Sequence, residues 1–441
     1  MTADILIKNA QVVNADKQFK SNLLISEGKI MRLISDDEIG DVSALKIIDA
    51  EGKYVFPGFI DPHVHFHLPT PAGFSSDDFD SGTKAALRGG TTTIMDFVTP
   101  QKGESLTAAL DKREKEAESA HCNYRLHVSP IDFNENTESE IKACIGRGTK
   151  SFKVYMAYKK AIGLEDDALR KVMQVLAKYD KVLLVHAEDG DTIEDLRNQL
   201  AAEGKTAPKY HPQSRPPQTE ADAVKKLTDM AEETGCAVYI VHVSAAESLK
   251  HIREAKKKGV KVFAETCPHY LLLDDSRYEG SFDESAAYVL SPPLRSAGNE
   301  NKLWKALSDG TFNVVGTDHC PFSQAQKEKG KSDFRFIPNG AGSVEFRPAL
   351  LYTYGVEQGK INLEQFTELM SAGPAKIFGL YPQKGVIAEG SDADLVIWNP
   401  KKRSLLSAET QVQNTDINIY EGFETQGEAE LVILGGEIVK Y

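Results

Sequence analysis

The sequence predicts an α/β protein, a (β/α)8 TIM-like barrel joined to a small β-sandwich domain built from both chain termini. Buried apolar runs alternate with charged, helix-period stretches through the middle of the chain. Short β-rich runs with turn residues between them occur only near the two ends. The most unusual polar residues follow the apolar runs, where a barrel places its reactive side chains.

The composition indicates a folded protein and is compatible with a small neutral substrate. Hydrophobic residues make up 41% of the 441 residues and charged residues 27%, which is ordinary for a globular chain with a large core. The net charge of −13 disfavours binding to nucleic acid or to an anionic membrane. We find no signal peptide and no apolar run long enough to span a bilayer, and the five widely spaced cysteines suggest reduced thiols, so we expect a cytoplasmic protein.

The β-rich ends predict one composite domain. Residues 5–13 and 23–33 have the composition of antiparallel strands broken by turns. Similar short strand-forming runs occur again at residues 393–398 and 431–439, and the second of these has Gly435 and Gly436 at a turn. We therefore expect a β-sandwich domain made of residues 1–56 and 386–441.

Residues 57–385 are predicted to form the barrel. Eight apolar runs lie at residues 59–65, 91–98, 124–128, 151–155, 182–186, 238–243, 260–265 and 312–317. Charged stretches such as residues 106–120 and 221–234 have the spacing of amphipathic helices. Eight strands alternating with helices match a (β/α)8 barrel, and a doubly wound sheet is the alternative.

Four histidines are the first candidate metal ligands. His63 and His65 are two apart in an apolar run, so both imidazoles project from one face of a strand. His186 and His242 each follow a buried run. A single histidine in such a place is more often a hydrogen-bonded interior residue, but four at the same rim are difficult to explain by packing.

Asp318 and Lys153 complete the candidate set. Asp318 follows the run at residues 312–317, where an ionised carboxylate is costly unless a positive charge compensates it; a helix N-cap is the alternative. Lys153 lies inside an apolar run, where its ammonium would be poorly solvated. Either the side chain reaches out to the rim, or it reacts with carbon dioxide to form a carbamate that bridges two metals.

Four histidines, a carboxylate and a bridging anion satisfy two divalent ions and leave room for water, which is typical of a catalytic site. Zn2+ is the first expectation, and Mn2+, Co2+ and Ni2+ are alternatives. Two such ions about 3.5–4 Å apart would lower the pKa of a water between them and supply a nucleophile.

These motifs resemble a known family. In this order and approximate spacing, the segment Gly58 to His65, the Lys153 strand, His186-Ala187-Glu188, His242-Val243-Ser244 and Thr317 to Cys320 are similar to the amidohydrolase superfamily, over residues 4–439. Within it the chain resembles the cyclic amidases of the dihydropyrimidinase and D-hydantoinase family. The resemblance implies hydrolysis of the ring of dihydropyrimidines or 5-substituted hydantoins to N-carbamoyl amino acids, with carboxylated Lys153 between the metals.

The resemblance also implies roles for residues outside the metal set. The segments at Ser291 and Asn339 would hold the ring's imide through backbone groups, and Tyr158 would donate a hydrogen bond to the developing oxyanion. Asp318 would carry the proton to the leaving nitrogen. The alternatives are an ordinary rim aromatic for Tyr158 and turn residues for Ser291 and Asn339.

Three alternatives stay open at this point. Dihydroorotases carry an arginine, and allantoinases usually an asparagine, where this chain has His67. These two enzyme classes are therefore two of the alternatives. Residues 68–76 also differ from the usual hydantoinase loop, which leaves the identity of the substrate open. A non-catalytic adaptor of the same fold is the third alternative, and a homodimer or homotetramer is the expected assembly.

Overall fold

The computed structural model describes residues 2–439. Its strands are β1 (Thr2–Val13), β2 (Gln18–Ser26), β3 (Lys29–Ile34), β4 (Ser43–Asp49), β5 (Tyr54–Pro57), β6 (Phe59–Val64), β7 (Pro69–Thr70), β8 (Gly73–Phe74), β9 (Thr91–Val98), β10 (Asn123–Val128), β11 (Ser151–Tyr155), β12 (Val182–His186), β13 (Ala237–Ile240), β14 (Val262–Thr266), β15 (Val314–Val315), β16 (Leu395–Leu405), β17 (Glu424–Leu434) and β18 (Glu437–Val439). Its α-helices are α1 (Phe79–Arg88), α2 (Leu106–Glu116), α3 (Thr137–Gly146), α4 (Asp166–Lys178), α5 (Gly190–Ala202), α6 (Pro217–Thr234), α7 (Leu249–Lys257), α8 (Pro268–Leu272), α9 (Phe282–Ser285), α10 (Asn299–Ser308), α11 (Gln324–Lys327), α12 (Arg347–Leu351), α13 (Leu363–Thr367) and α14 (Gly373–Ile377).

The strands from both termini form one eight-stranded sheet. Its order is β18-β17-β16-β5-β1-β2-β3, with β4 also paired to β1. The run at residues 23–33 is a hairpin between β2 and β3 that turns at Glu27 and Gly28, both with positive φ. The expected domain limits, 1–56 with 386–441 and 57–385, stay a prediction.

The expectation of purely antiparallel strands in this sheet was wrong. β1 pairs with β2 antiparallel, but its first part pairs with β4 and its last part with β5 in parallel. After β3 the chain passes through a 3-10 helix, Asp36–Asp41, before β4 begins. That passage lets β4 run in the same direction as β1, whereas turn signals in the sequence identify only hairpins between neighbouring strands.

The middle of the chain forms the predicted barrel. Each of the eight apolar runs contains a strand, and these strands lie in the parallel order β15-β14-β13-β12-β11-β10-β9-β6. The two end strands meet because Val64 forms a β-bridge with His319 and the His65 N–H donates to the His319 carbonyl at 2.8 Å. The (β/α)8 fold is therefore confirmed and the doubly wound alternative is wrong.

Helix boundaries follow local signals. α2 begins after Ser105, whose hydroxyl accepts from the Ala108 N–H at 3.2 Å, and α6 ends at Gly235, which has a positive φ of 70°.

Among residues 2–439, none of the helices is both long enough and apolar enough to cross a membrane.

A single residue joins the terminal sheet to the barrel. Gly58 separates β5 from β6, and its N–H donates to the Asp394 carbonyl at 2.7 Å. A Cβ at this position would lie 2.1 Å from Thr92 Oγ1, so the close approach requires glycine. The terminal sheet therefore continues directly into the strand that carries His63 and His65.

Candidate active site

The residues predicted to bind metal gather at one end of the barrel. They lie within or directly after the barrel strands, toward the carboxyl ends: His63 and His65 on and after β6, Lys153 in β11, His186 at the end of β12, His242 after β13 and Asp318 after β15. This is the end at which barrel enzymes assemble their active sites.

His63, His65 and Asp318 form a compact group. His63 Nε2 lies 3.2 Å from His65 Nε2, and Asp318 Oδ1 lies 3.0 Å and 3.2 Å from these two nitrogens. Ligands about 2.0–2.1 Å from a tetrahedral ion are about 3.3 Å apart, so the spacing and the donor types fit one metal ion. Closure of the barrel between Val64 and His319 is what brings Asp318 to this pair.

The charges within this group are strongly coupled. Burial alone would lower the pKa of His63, but the carboxylates of Glu265 and Asp318 outweigh it and raise that pKa to about 9. Burial would raise the pKa of Asp318, yet the nearby imidazoles hold it well below its usual value. Asp318 is therefore an anion at neutral pH, as a metal ligand must be.

His186 and His242 form the second group. His242 Nε2 lies 2.9 Å from His186 Nδ1, and the His242 ring stacks on that of His63 with centroids 5.5 Å apart. Burial lowers the pKa of both His186 and His242. Both imidazoles are thus neutral, which is the form that binds metal.

Lys153 lies beside the first group. The residue is 1% exposed, and its ammonium sits over the rings of Phe97 and Tyr155 at 4.9 Å and 5.0 Å. Within the described chain Lys153 forms no ion pair. Burial lowers its pKa to about 8, so a larger fraction of the amine is unprotonated at neutral pH than in an exposed lysine. Phe97 also stacks on His65, with ring centroids 4.6 Å apart, so lysine and ligand share one aromatic neighbour.

Arg215 connects two site residues and was not predicted from the sequence. The guanidinium of Arg215 donates from Nη2 to Tyr158 Oη at 3.0 Å and from Nε to Glu188 Oε1 at 3.1 Å. Glu188 Oε2 in turn lies 2.7 Å from His186 Nε2. The carboxylate therefore leaves His186 Nδ1 facing His242, while the arginine orients the Tyr158 hydroxyl.

Glu265 is a second residue that the sequence reasoning missed. Its carboxylate is buried below the site, in contact with His63 Nδ1, and accepts from the His242 N–H at 3.1 Å. Tyr239 donates to its other oxygen at 2.6 Å. Glu265 thus contacts candidate ligands from both groups. The sequence contains a signal for this residue, because Glu265 is a carboxylate at the end of an apolar run, as Asp318 is.

Ser291 and Asn339 come together as a pair. Asn339 Nδ2 donates to Ser291 Oγ at 2.7 Å. Asn339 Oδ1 is buried and accepts no hydrogen bond from any described residue. The following residue, Gly340, has a positive φ, and a Cβ there would lie 2.4 Å from the carbonyl oxygen of Cys320. The Asn339 segment therefore packs tightly against the loop that carries Asp318.

His67 packs within the loop that follows the first ligands. Its ring stacks on Phe74 at a centroid distance of 3.9 Å and an interplanar angle of 11°. Phe74 ends the small β7-β8 hairpin and is 51% exposed. The two rings thus form an aromatic surface on the loop of residues 68–76.

Backbone strain is concentrated at the site. Tyr158, His242 and Asp318 have φ values of 60°, 39° and 52°, and His67 has 46°. Residues other than glycine rarely adopt this left-handed conformation, which persists only where the surrounding structure imposes it. Three of the predicted site residues are therefore held in costly conformations.

Known proteins are similar to this chain over nearly its full length. The model of the amidohydrolase family matches residues 54–439. The chain is 41% identical to a D-hydantoinase of Geobacillus stearothermophilus, with 98% of this chain and 92% of that protein covered. It is also 41% identical to a D-hydantoinase of Ralstonia pickettii, with coverage of 99% and 95%. The crystal structure of a dihydropyrimidinase from Brevibacillus agri is similar with a TM-score of 0.95 at 40% identity, covering 98% of this chain and 94% of that one.

Proposed function

The chain belongs to the amidohydrolase family, and from this premise we propose that it opens hydantoin or dihydropyrimidine rings with the help of two divalent metal ions. It is a hydrolase of cyclic amides, the activity for which its relatives over nearly the full chain are named. The non-catalytic alternative loses its support, because each predicted ligand position is filled and the ligand atoms converge.

Two neighbouring groups of predicted ligands carry the proposal, one with two imidazoles and a carboxylate and the other with two imidazoles. His63, His65 and Asp318 have metal-ligand spacing, and His242 stacks directly on His63. We infer that His63, His65, His186, His242 and Asp318 hold two ions, for which Zn2+ is the first candidate and Mn2+, Co2+ and Ni2+ are alternatives. When bound, such ions polarise a carbonyl and lower the pKa of water.

Lys153 is proposed to be carboxylated. Its amine nitrogen would form a bond to the carbon of carbon dioxide and lose one proton, giving a carbamate anion with two oxygen donors. This proposal is supported by the complete burial of Lys153 beside the metal ligands, without a carboxylate partner of its own among the described residues. A buried ammonium in this position would be costly, and a carbamate would avoid that cost because two divalent ions would neutralise its charge.

The side chains of this protein would then bind and protonate the ring. Tyr158 donates its hydroxyl hydrogen to the oxyanion that develops on the attacked carbonyl. Arg215 donates to the oxygen of that hydroxyl at 3.0 Å, so the hydrogen is free to point at the substrate. Asp318 accepts a proton from the attacking water and passes it to the leaving ring nitrogen, which gives an N-carbamoyl amino acid.

Ser291 and Asn339 are proposed to hold the imide of the substrate through neighbouring backbone groups. Asn339 Oδ1 is buried and has no hydrogen-bond partner among residues 2–439, which favours a polar group of the substrate at this position. His67 and Phe74 would face the exocyclic substituent of the substrate. His67 stands where dihydroorotases carry an arginine and allantoinases usually an asparagine.

The proposal also covers the assembly, the cellular location and the partners of the enzyme. We expect a cytoplasmic homodimer or homotetramer that acts on a small molecule and binds neither nucleic acid nor membranes, as the net charge of −13 suggests. Sedimentation of the purified chain measures the assembly directly.

The experiment that tests the proposed function combines metal analysis with a substrate panel. Purified protein is analysed for metal per chain and assayed with dihydrouracil, 5-substituted hydantoins, allantoin and dihydroorotate. We expect about two ions per chain and turnover of the first two substrate classes. Turnover of only allantoin or dihydroorotate would overturn the substrate assignment, and absence of metal and turnover after reconstitution would overturn the whole proposal.

Lys153→Ala tests the carbamate. The variant should lose metal and activity, and short-chain carboxylic acids should restore part of both by supplying the missing oxygens. Lys256→Ala is a matched control, since Lys256 is also partly buried but donates to Thr311 and Asn313 at the opposite end of the barrel. Full metal content and activity in Lys153→Ala would refute a bridging role.

A further inference from the structure

Lys327 is a buried lysine whose ammonium is surrounded by backbone carbonyls. Its side chain is fully buried at the end of α11, and Nζ donates to the carbonyls of Val289, Pro338 and Gly340 at 3.2, 2.8 and 2.9 Å. Three acceptors match the three hydrogens of an ammonium group. In the sequence Lys327 lies within Gln-Lys-Glu-Lys-Gly-Lys, which has the composition of a solvated surface segment.

The three carbonyls belong to the two segments that flank Ser291 and Asn339. Val289 is two residues before Ser291, and Pro338 and Gly340 are the immediate neighbours of Asn339. The Gly340 N–H also donates to the Val289 carbonyl at 3.1 Å, so this oxygen accepts from both partners. One ammonium therefore fixes the separation of two chain segments that are 48 residues apart at their Asn339–Ser291 contact.

We propose that Lys327 is a positioning residue for substrate recognition: by holding the Val289 and Pro338–Gly340 carbonyls together, it sets the distance between the backbone groups that bind the ring's imide. This inference rests on the proposed function, because the imide is the ligand of those segments. Lys327 itself touches no substrate and no metal ligand, so its effect is on binding geometry.

The fold offers a matched control. Lys256 likewise donates to a backbone carbonyl, that of Thr311 at 2.7 Å, and to Asn313 Oδ1 at 2.9 Å. These acceptors lie before β15, at the amino-terminal end of the barrel and away from the site. Lys256→Met therefore removes the ammonium of a partly buried lysine that also donates to a backbone carbonyl, without touching either imide-binding segment.

The test compares Lys327→Met, Lys327→Arg and Lys256→Met with the wild-type holoenzyme, using dihydrouracil and a 5-substituted hydantoin. We expect Lys327→Met to raise KM about tenfold or more, to change kcat about threefold or less, and to keep the wild-type metal content. Lys327→Arg should recover part of the KM, because it retains a donor at the same place. Lys256→Met should leave KM unchanged.

A second measurement does not depend on turnover. Amide hydrogen exchange in peptides covering residues 289–291 and 338–341 should be faster in Lys327→Met than in wild type, and unchanged in Lys256→Met. If wild type opens no ring, the proposed function fails and this exchange result still decides whether Lys327 holds the segments. Unchanged KM and exchange in Lys327→Met would overturn the inference, as would a loss of metal with KM intact. Should Lys327→Met not fold, the same two readouts in Lys327→Arg decide it.

Discussion

The contact between Arg215 and Tyr158 makes a prediction about catalysis that a double-mutant cycle can test. Tyr158→Phe removes the proposed oxyanion donor, and loss of one such donor typically lowers kcat about 100- to 1,000-fold, or about 2.7–4 kcal/mol. Arg215→Lys retains a positive charge beside Glu188, but one ammonium cannot reproduce the two-sided contact that the guanidinium makes at 3.0 Å and 3.1 Å.

The magnitude for Arg215→Lys follows from the bond that it loses. A hydrogen bond from a charged group contributes about 1.5–3 kcal/mol, so kcat should fall about 10- to 150-fold. If Arg215 acts through the Tyr158 hydroxyl, this loss disappears when that hydroxyl is absent. The double variant should therefore be about as slow as Tyr158→Phe alone, with a coupling energy close to the whole effect of Arg215→Lys.

The assay is kcat for ring opening of dihydrouracil by the four proteins at one pH, each with its metal content measured. Metal content should be the same in all four, because Glu188 keeps a cationic partner and continues to orient His186. Losses that multiply in the double variant would refute the reasoning, since Arg215 would then act independently of Tyr158. Loss of metal in Arg215→Lys would instead show that Arg215 acts through Glu188, by orienting His186.

Three further predictions follow from other parts of the structure. Burial raises the pKa of Glu345 to about 7, so the folded state holds this proton more tightly than the unfolded chain, and the free energy of unfolding should fall by about 2–3 kcal/mol between pH 4.5 and pH 7. Glu345→Gln should lose that part of the pH dependence in thermal melts, and an unchanged dependence would contradict it. Removal of metal by a chelator should lower Tm, and added Zn2+ should restore it in proportion to the logarithm of its concentration; a Tm insensitive to both would mean that the described histidines bind no ion. Phe74→Ala should change the ratio of kcat/KM for 5-phenylhydantoin to that for dihydrouracil by about tenfold, because it removes the ring that stacks on His67, and an unchanged ratio would place the substituent elsewhere.

The barrel and its candidate ligands could be predicted because both depend on local order in the sequence. An apolar run followed by a helix-period stretch specifies a strand and its crossover, and the rim position of His186 follows directly from where its run ends. The mixed terminal sheet could not be predicted, because pairing of β1 with β4 and β5 is set by the path of the chain after β3.

Arg215 and Lys327 show why other parts of the site escape sequence reasoning. Arg215 lies between two short 3-10 turns and α6, without a periodic context, and its role exists only through contacts to Tyr158 and Glu188. Lys327 has surface-like neighbours in sequence and is buried by segments that are distant along the chain. Glu265 could have been recognised, since a carboxylate near a strand end is as costly there as at Asp318.

The passage from β5 through Gly58 to β6 has a consequence for the order in which the protein is made. His63 and His65 are synthesised within the first 65 residues, but β5 reaches its partner β16 only after residues 395–398 have left the ribosome. Until then the strand beside this pair of histidines has an open edge. Pairing of the strand that leads into this pair of histidines is therefore completed late in biosynthesis, after about nine-tenths of the chain has been translated.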